Sequence, residues 1–373
     1  MHPFRRRLHR RVQAGILALL FCGALAVGLT TAIDAAPVFF TSTIIVNTTV
    51  DVVADDGQCS LREAITAANT DTVSGASGGE CIAGSGADII TLAAETYTLA
   101  TAGAGEDGNV SGDLDISADL AINGAGAATV IDAAGIDRAF HVVGNVAVTL
   151  SGLTVQNGNP AGADGGGILA PSITLANVQV LSNTTTGRGA GVYVLNGASV
   201  TGSLFQGNAT TNYGGGFYNF SGGVVNIANT QFISNTASDG GGVMLDGLAT
   251  EPSTIDNVQF IRNTAVAGGG IGSYAMVITV TNSYFQHNRA TGSSGGGMYA
   301  FGDLALSNSR FISNTANGGG GGVSHVNIFE ARRGAITNSL FADNRASVGN
   351  AIASNGVISI THVTVGAPAQ VPG

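Results

Sequence analysis

The chain has 373 residues and a formal charge of −10, with 57 Gly, no Trp and no Lys. Charged residues make up 10% and apolar ones 44%, the opposite of the balance that keeps a chain disordered. Five of its 14 Arg precede residue 12, leaving a net charge of −14 beyond Pro37, so nucleic acid, which needs a basic surface, is not an expected partner.

Residues 1–36 read as a signal peptide. Arg5, Arg6, Arg7, Arg10 and Arg11 precede the apolar run Ala14–Leu29, and small residues follow it. The alternative is an uncleaved anchor, because Ala14–Ile33 is about long enough to cross a bilayer. Cys22 follows Phe21, which does not suit lipid acylation. No later stretch is apolar for long enough to span, so a secreted or cell-surface protein without a membrane span is expected after cleavage.

Residues 37–137 read as an N-terminal cap with irregular first coils. Cys59 and Cys81 lie 22 residues apart, and export permits a disulfide between them. Two free thiols or a metal pair are the alternatives, though no His lies between them. Ser60-Leu61-Arg62-Glu63 is a capping box, in which the Ser oxygen takes the amide three residues on and Glu63 reaches back. Leu61, Ala64, Ile65 and Ala68 then recur at helical spacing, and Asn69-Thr70 ends the element. A short helix placed there would cover the open edge of the first coil. Short β-rich pieces follow at Asp88–Tyr97, Leu114–Ile122, Thr129–Asp132 and Phe140–Val143.

The run Cys59-Ser60-Leu61-Arg62-Glu63-Ala64-Ile65, with Ala67-Ala68-Asn69 behind it, resembles the CSLREA-type N-terminal domain of bacterial exported proteins. Ile44–Thr49 and Gly112–Ile116 fit that pattern, which covers about residues 43–157. The resemblance implies a right-handed parallel β-helix behind the domain, on a secreted or surface protein, and carries over no established enzymatic activity.

Residues 138–373 read as the repeats. An anchor stands at Val180, Phe205, Phe232, Phe260, Phe285, Phe311 and Phe341, at intervals of 25, 27, 28, 25, 26 and 30 residues. Three residues after each comes Asn183, Asn208, Asn235, Asn263, Asn288, Asn314 or Asn344. Three before it stands Asn177, Asn229, Asn257, Asn282, Asn308 or Asn338, with Gly202 the exception. Apolar residues five and seven before the anchor add a period of two, a strand with one buried face. Each copy ends in a loop and a glycine run before another apolar residue. Three Gly per repeat exclude a helix, and the period suits neither propeller blades nor calcium-binding β-rolls. The expected fold is all-β: a single-stranded parallel β-helix with three short strands per coil, a pectin-lyase-like solenoid with a short N-terminal capping helix. Stacked coils would place Phe on Phe and join the Asn side chains in a ladder, with Asn supplying the bends.

Phe-x-x-Asn with Gly-Gly-[Gly/Ala]-Ile also resembles the repeats of polymorphic outer membrane proteins, over about residues 165–352. The chain departs from them in lacking a C-terminal membrane barrel and a sorting motif.

Candidate chemistry is sparse. Glu106, Asp107, Asp113 and Asp115 form the densest acidic cluster, where calcium is conceivable but a solvated acidic loop is the expected reading, since the spacing matches no defined metal loop. His141, His325 and His362 stand isolated, and neither a metal site nor a cofactor is expected. Asp164 and Asp239 both precede triple glycines, three coils apart. Arg262 and His287 share a column and read as an exposed turn pair. Tyr213, Tyr218, Tyr274, Tyr284 and Tyr299 read as scattered aromatics rather than a sugar-stacking face. No catalytic residue is expected. The favoured function is an exported, non-catalytic β-helical surface or adhesive protein that binds a cell-surface glycan or protein through an extended solenoid face. The alternative is a carbohydrate-active β-helix enzyme, a lyase or hydrolase with converging carboxylates.

Overall fold

The computed structural model describes residues 42–247, 251–275, 277–327 and 333–366. The signal segment and the final prolines Pro368 and Pro372 lie outside them. Contacts divide the chain into two units, Met1–Val38 and Phe39–Gly373, and all the described residues belong to the second. Among the described residues no helix is long and apolar enough to cross a membrane.

That unit is a parallel β-solenoid, with a single helix among the described residues. Each regular coil contributes to three sheet faces, of which the first and third join through the long strands Ile168–Ala176 and Val192–Thr201. The first sheet holds the h-x-h strand, and its inward residues form one column: Ile44, Ile90, Ile122, Leu150, Leu175, Val200, Ile227, Ile255, Val280, Leu306 and Ile336. The second sheet has 11 strands in sequence order, with the Phe anchors inward. Neighbouring rings from Phe205 to Phe341 lie 4.3–5.2 Å apart and nearly parallel. The third sheet follows the glycine runs. Its inward column includes Leu114, Phe140, Ile168, Val192, Phe217, Val243, Ile271, Met298 and Val323. A fourth ladder of two-residue strands, such as Thr184–Thr185 on Ala209–Thr210, adds to the three expected.

The early strands belong to these same sheets. Tyr97, Ile131, Val155 and Val180 are successive inward residues of the second sheet, so pairing runs across residue 138 without interruption.

Both bends use left-handed backbone, but not both on Asn. Asn177, Asn229, Asn257, Asn282, Asn308 and Asn338 have positive φ, as does Gly202 in the exceptional copy. At the second bend positive φ falls one residue before the ladder Asn: Ser182, Gly207, Ser234, Arg262, His287, Ser313 and Asp343. The ladder Asn itself points inward, and its outward predecessor turns the corner. In the glycine run, Gly240 has φ +63, and a Cβ at Gly241 would sit 2.5 Å from the Gly269 carbonyl oxygen of the next coil. The corner therefore needs one residue for its backbone and the next for its lack of a side chain.

The seven ladder asparagines are buried, and six of them have no exposed surface at all. From Asn183 to Asn344 each Nδ2 donates to the next Oδ1 at 2.9–3.0 Å. Each of those Oδ1 atoms also accepts the backbone N–H of the preceding Asn at 3.0 Å. A second, hydroxyl ladder runs two residues before the anchor, with Ser203, Thr230, Ser283, Ser309 and Ser339 accepting backbone N–H groups from the coil before.

The helix Leu61–Thr70 starts at Ser60 with both hydrogen bonds of the capping box and ends at Asp71 in the left-handed region. Leu61, Ala64, Ile65, Ala67 and Ala68 are buried in the same core as Ile44 and Ile90, so the helix closes the first coil. Cys59 and Cys81 form a disulfide.

Candidate functional site

Arg62 is 1% exposed and clamps the cap to the solenoid. Nε and Nη2 donate to the two Asp51 carboxylate oxygens at 2.7 and 3.1 Å, while Nη1 and Nη2 donate to the Asp113 and Gly112 carbonyls at 3.0 and 2.9 Å. Burial raises the Asp51 carboxyl, but hydrogen bonds from Arg62, Thr101 and Ala100 outweigh it and hold the group below its ordinary range. Asn69 finishes the attachment, donating to the Asp115 carbonyl at 2.8 Å and accepting from Ser117 N at 2.8 Å. Cysteine, serine, leucine, arginine and glutamate of the motif therefore serve, respectively, as bridge, cap, core, clamp and box partner.

The acidic cluster separates into different environments. Glu106 accepts the amides of Gly108, Val110 and Ser111 at 2.7–2.9 Å, and these bonds overcome burial to lower its pKa. Asp113 pairs with Arg138 Nη1 at 2.6 Å, and burial pushes it up to about 6 against that pairing. Asp107 and Asp115 converge instead on His141, whose Nδ1 lies 3.4 Å and 3.1 Å from their Oδ1 atoms. His141, isolated in sequence, is thus brought beside two of the four acids. His325 is a core residue, with Nε2 donating to the Gly302 carbonyl at 2.9 Å. Arg262 and His287 are exposed at their left-handed turns.

The other concentration of functional groups lies on the outer surface of the third sheet. Its outward column reads Asp115, His141, Leu169, Tyr193, Tyr218, Met244, Gly272, Tyr299. Flanking it at the glycine corner are Asp164, Arg188, Tyr213 and Asp239, joined coil to coil by backbone hydrogen bonds. Phe220, Asp246, Tyr274 and Phe301 stand where the strands leave the sheet. Four of the five tyrosines that the sequence scatters are thus gathered on one face. Tyr284 is not: it lies on the second sheet beside Gln259, Asn282 and Arg310.

Arg188 bridges this surface. Nη2 donates to Asp164 Oδ2 at 2.6 Å, and its guanidinium lies 4.7, 5.2 and 5.8 Å from the ring centres of Phe220, Tyr193 and Tyr218. Such stacking fixes a cation without ending its capacity to donate hydrogen bonds. The Tyr218 hydroxyl donates to Asp246 Oδ2 at 3.2 Å. Burial raises the Asp239 carboxyl, opposed by hydrogen bonds from Ser238 and Tyr274. Burial likewise raises the phenols of Tyr193, Tyr274 and Tyr299, with nearby carboxylates contributing. Tyr193, Tyr218 and Met244 are buried supports, whereas Tyr213, Tyr274, Tyr299 and Phe301 are half-buried and Phe220 is 40% exposed. Rigid rings alternating with carboxylates on a sheet surface suit the faces and hydroxyls of sugar rings.

No family model matches the chain, and neither a curated protein nor a solved structure does.

Proposed function

We propose that the protein is an exported β-helical surface or adhesive protein that binds glycan chains along the outer face of its third sheet. The observation that carries this reading is the gathering of Tyr213, Phe220, Tyr274, Tyr299 and Phe301 on one face, interleaved with Asp164, Asp239, Asp246 and Arg188. The Cys59–Cys81 disulfide fits it, being a bond that persists outside the reducing cytoplasm. Both sequence resemblances, to CSLREA-type domains and to polymorphic outer membrane protein repeats, belong to this proposal and point to the cell surface. A glycan array followed by calorimetry tests it. Binding that Phe220→Ala and Tyr274→Ala both weaken supports it, and binding indifferent to both changes overturns the assignment of the face.

One feature favours the enzymatic alternative. Asp239, whose carboxyl burial raises, and Asp246 share a face, and both act on Tyr274. Paired carboxyls on one face are what general acid–base cleavage of a glycosidic bond uses. Turnover of a uronic-acid polysaccharide, lost in Asp239→Asn with binding retained, would replace the adhesive reading by this one.

A further inference from the structure

We propose that Asp107, Asp115 and His141 form a site for a single divalent ion of the Zn²⁺ or Co²⁺ type, tying the cap to the first coils. The ligand atoms Asp107 Oδ1, Asp115 Oδ1 and His141 Nδ1 all lie within 4.8 Å of one another. His141 Nδ1 is 3.1 Å from one oxygen and 3.4 Å from the other. A tetrahedral ion with bonds of about 2.0–2.1 Å holds its ligands about 3.3 Å apart, which the two His141 separations already match. The Asp107 and Asp115 oxygens, within 4.8 Å of each other, would close by movement of the exposed Asp107 side chain.

The scaffold fixes two of the three ligands. Asp115 and His141 are register partners on adjacent third-sheet strands. The Asp115 side chain is 1% exposed, and its second oxygen accepts the Asn109 amide at 3.0 Å. The neighbouring arginines are directed elsewhere, Arg138 to Asp113 and Arg62 to Asp51, so Asp115 has no arginine partner of its own among the described residues. Asp107, with a side chain 66% exposed, is the third ligand and closes the site from the loop. Calcium is disfavoured, because it takes six to eight oxygens and this set offers an imidazole and two single carboxylate oxygens. The ion would hold the 107–109 loop against these strands, and the same loop meets the capping helix, with Asn109 Nδ2 donating to Thr66 Oγ1 at 3.0 Å.

The test uses the full chain, stripped with chelator and titrated with Co²⁺ and Zn²⁺. One Co²⁺ per chain with visible d–d absorption, displaced by Zn²⁺ and accompanied by a raised melting temperature, is the expected result. Asp107→Asn, which alters an exposed side chain and leaves the fold alone, should weaken binding at least about 100-fold, as should His141→Gln. Asp56→Asn, an exposed acid elsewhere, should change nothing. No Co²⁺ spectrum, binding that survives both ligand changes, or a response to Ca²⁺ and not Zn²⁺ would each overturn the assignment.

Discussion

Removing one rung from the middle of the asparagine ladder should cost far more than removing the first. Asn263 has no exposed surface and makes four side-chain hydrogen bonds. Its Oδ1 accepts Asn235 N and Nδ2, both at 3.0 Å, and its Nδ2 donates to the Phe232 carbonyl at 2.8 Å and to Asn288 Oδ1 at 3.0 Å. In Asn263→Ala, Asn288 Oδ1 still receives the backbone amide of residue 263, but the Asn235 amide and one Asn235 side-chain proton lose their partner. The Phe232 carbonyl loses one of its bonds and keeps its place in the sheet ladder. At about 1–3 kcal/mol for each buried orphan, less what an entering water recovers, the loss is about 3–5 kcal/mol. Asn183 starts the ladder, where its Oδ1 accepts only Gly158 N at 2.8 Å and its Nδ2 reaches the Val155 carbonyl at a longer 3.3 Å. Asn183→Ala should therefore cost about 2 kcal/mol. Urea denaturation by circular dichroism would measure both, with amide exchange at Asn235 reporting the local opening. The exposed turn residue Asn257, at φ 51 with one side-chain bond to Asn229, is the control: Asn257→Ala should cost about 1–2 kcal/mol. Equal and small losses, under about 1 kcal/mol at both ladder positions, would refute the claim that the ladder stabilises the coils.

Arg62→Met should destabilise by about 3–5 kcal/mol in thermal melts, because it leaves a 4% exposed Asp51 side chain without its cation. Asp51 has a depressed native pKa, so its contribution is present above pH 3.8 and lost as pH falls through the lower native value. Melting temperatures of Arg62→Met should accordingly lack the Asp51 share of the acid-induced decline seen in the parent below about pH 4. Reducing the disulfide, which closes a 22-residue loop, should cost about 3 kcal/mol, measured as a fall in urea midpoint with dithiothreitol. Phe220→Ala should lower glycan affinity by about 1 kcal/mol, measured well below the melting temperature of the variant, since the ring is 40% exposed but also packs on Arg188 and Tyr193.

Whatever stacks with the same letter in every coil is legible in the sequence. Phe on Phe and Asn on Asn are visible as a period because a parallel solenoid places equivalent residues in register. The hydroxyl ladder is hidden because its column mixes Ser203, Thr230, Ser283 and Ser309 with Val178 and Val258, all compatible with the same inward position. The recurring letter draws the second bend onto the ladder Asn, while the residue that turns is Ser, Gly, Arg, His or Asp, according to the copy. The early coils look irregular because Tyr97, Ile131 and Val155 stand where later copies carry Phe, and an apolar residue of another shape fills the same inward place. Arg62 shows no role in the sequence, since its partners Asp51, Gly112 and Asp113 lie up to 51 residues away.

The candidate sites are the least legible part, and the reason lies in how a solenoid divides its labour. Inward columns must fit their neighbours above and below, so they converge on a few letters. The outward column of the third sheet is free of that demand, and it changes from Asp115 and His141 through Leu169, Tyr193, Tyr218 and Met244 to Gly272 and Tyr299. Two residues 26 apart in sequence, Asp115 and His141, become neighbours only once the register is known. Tyrosines of different repeats meet on the same terms. Chemistry in this fold is therefore found where the repeats disagree, and a search for recurring letters passes over it: the repeated letters specify the winding, and the exceptions specify what the surface can bind.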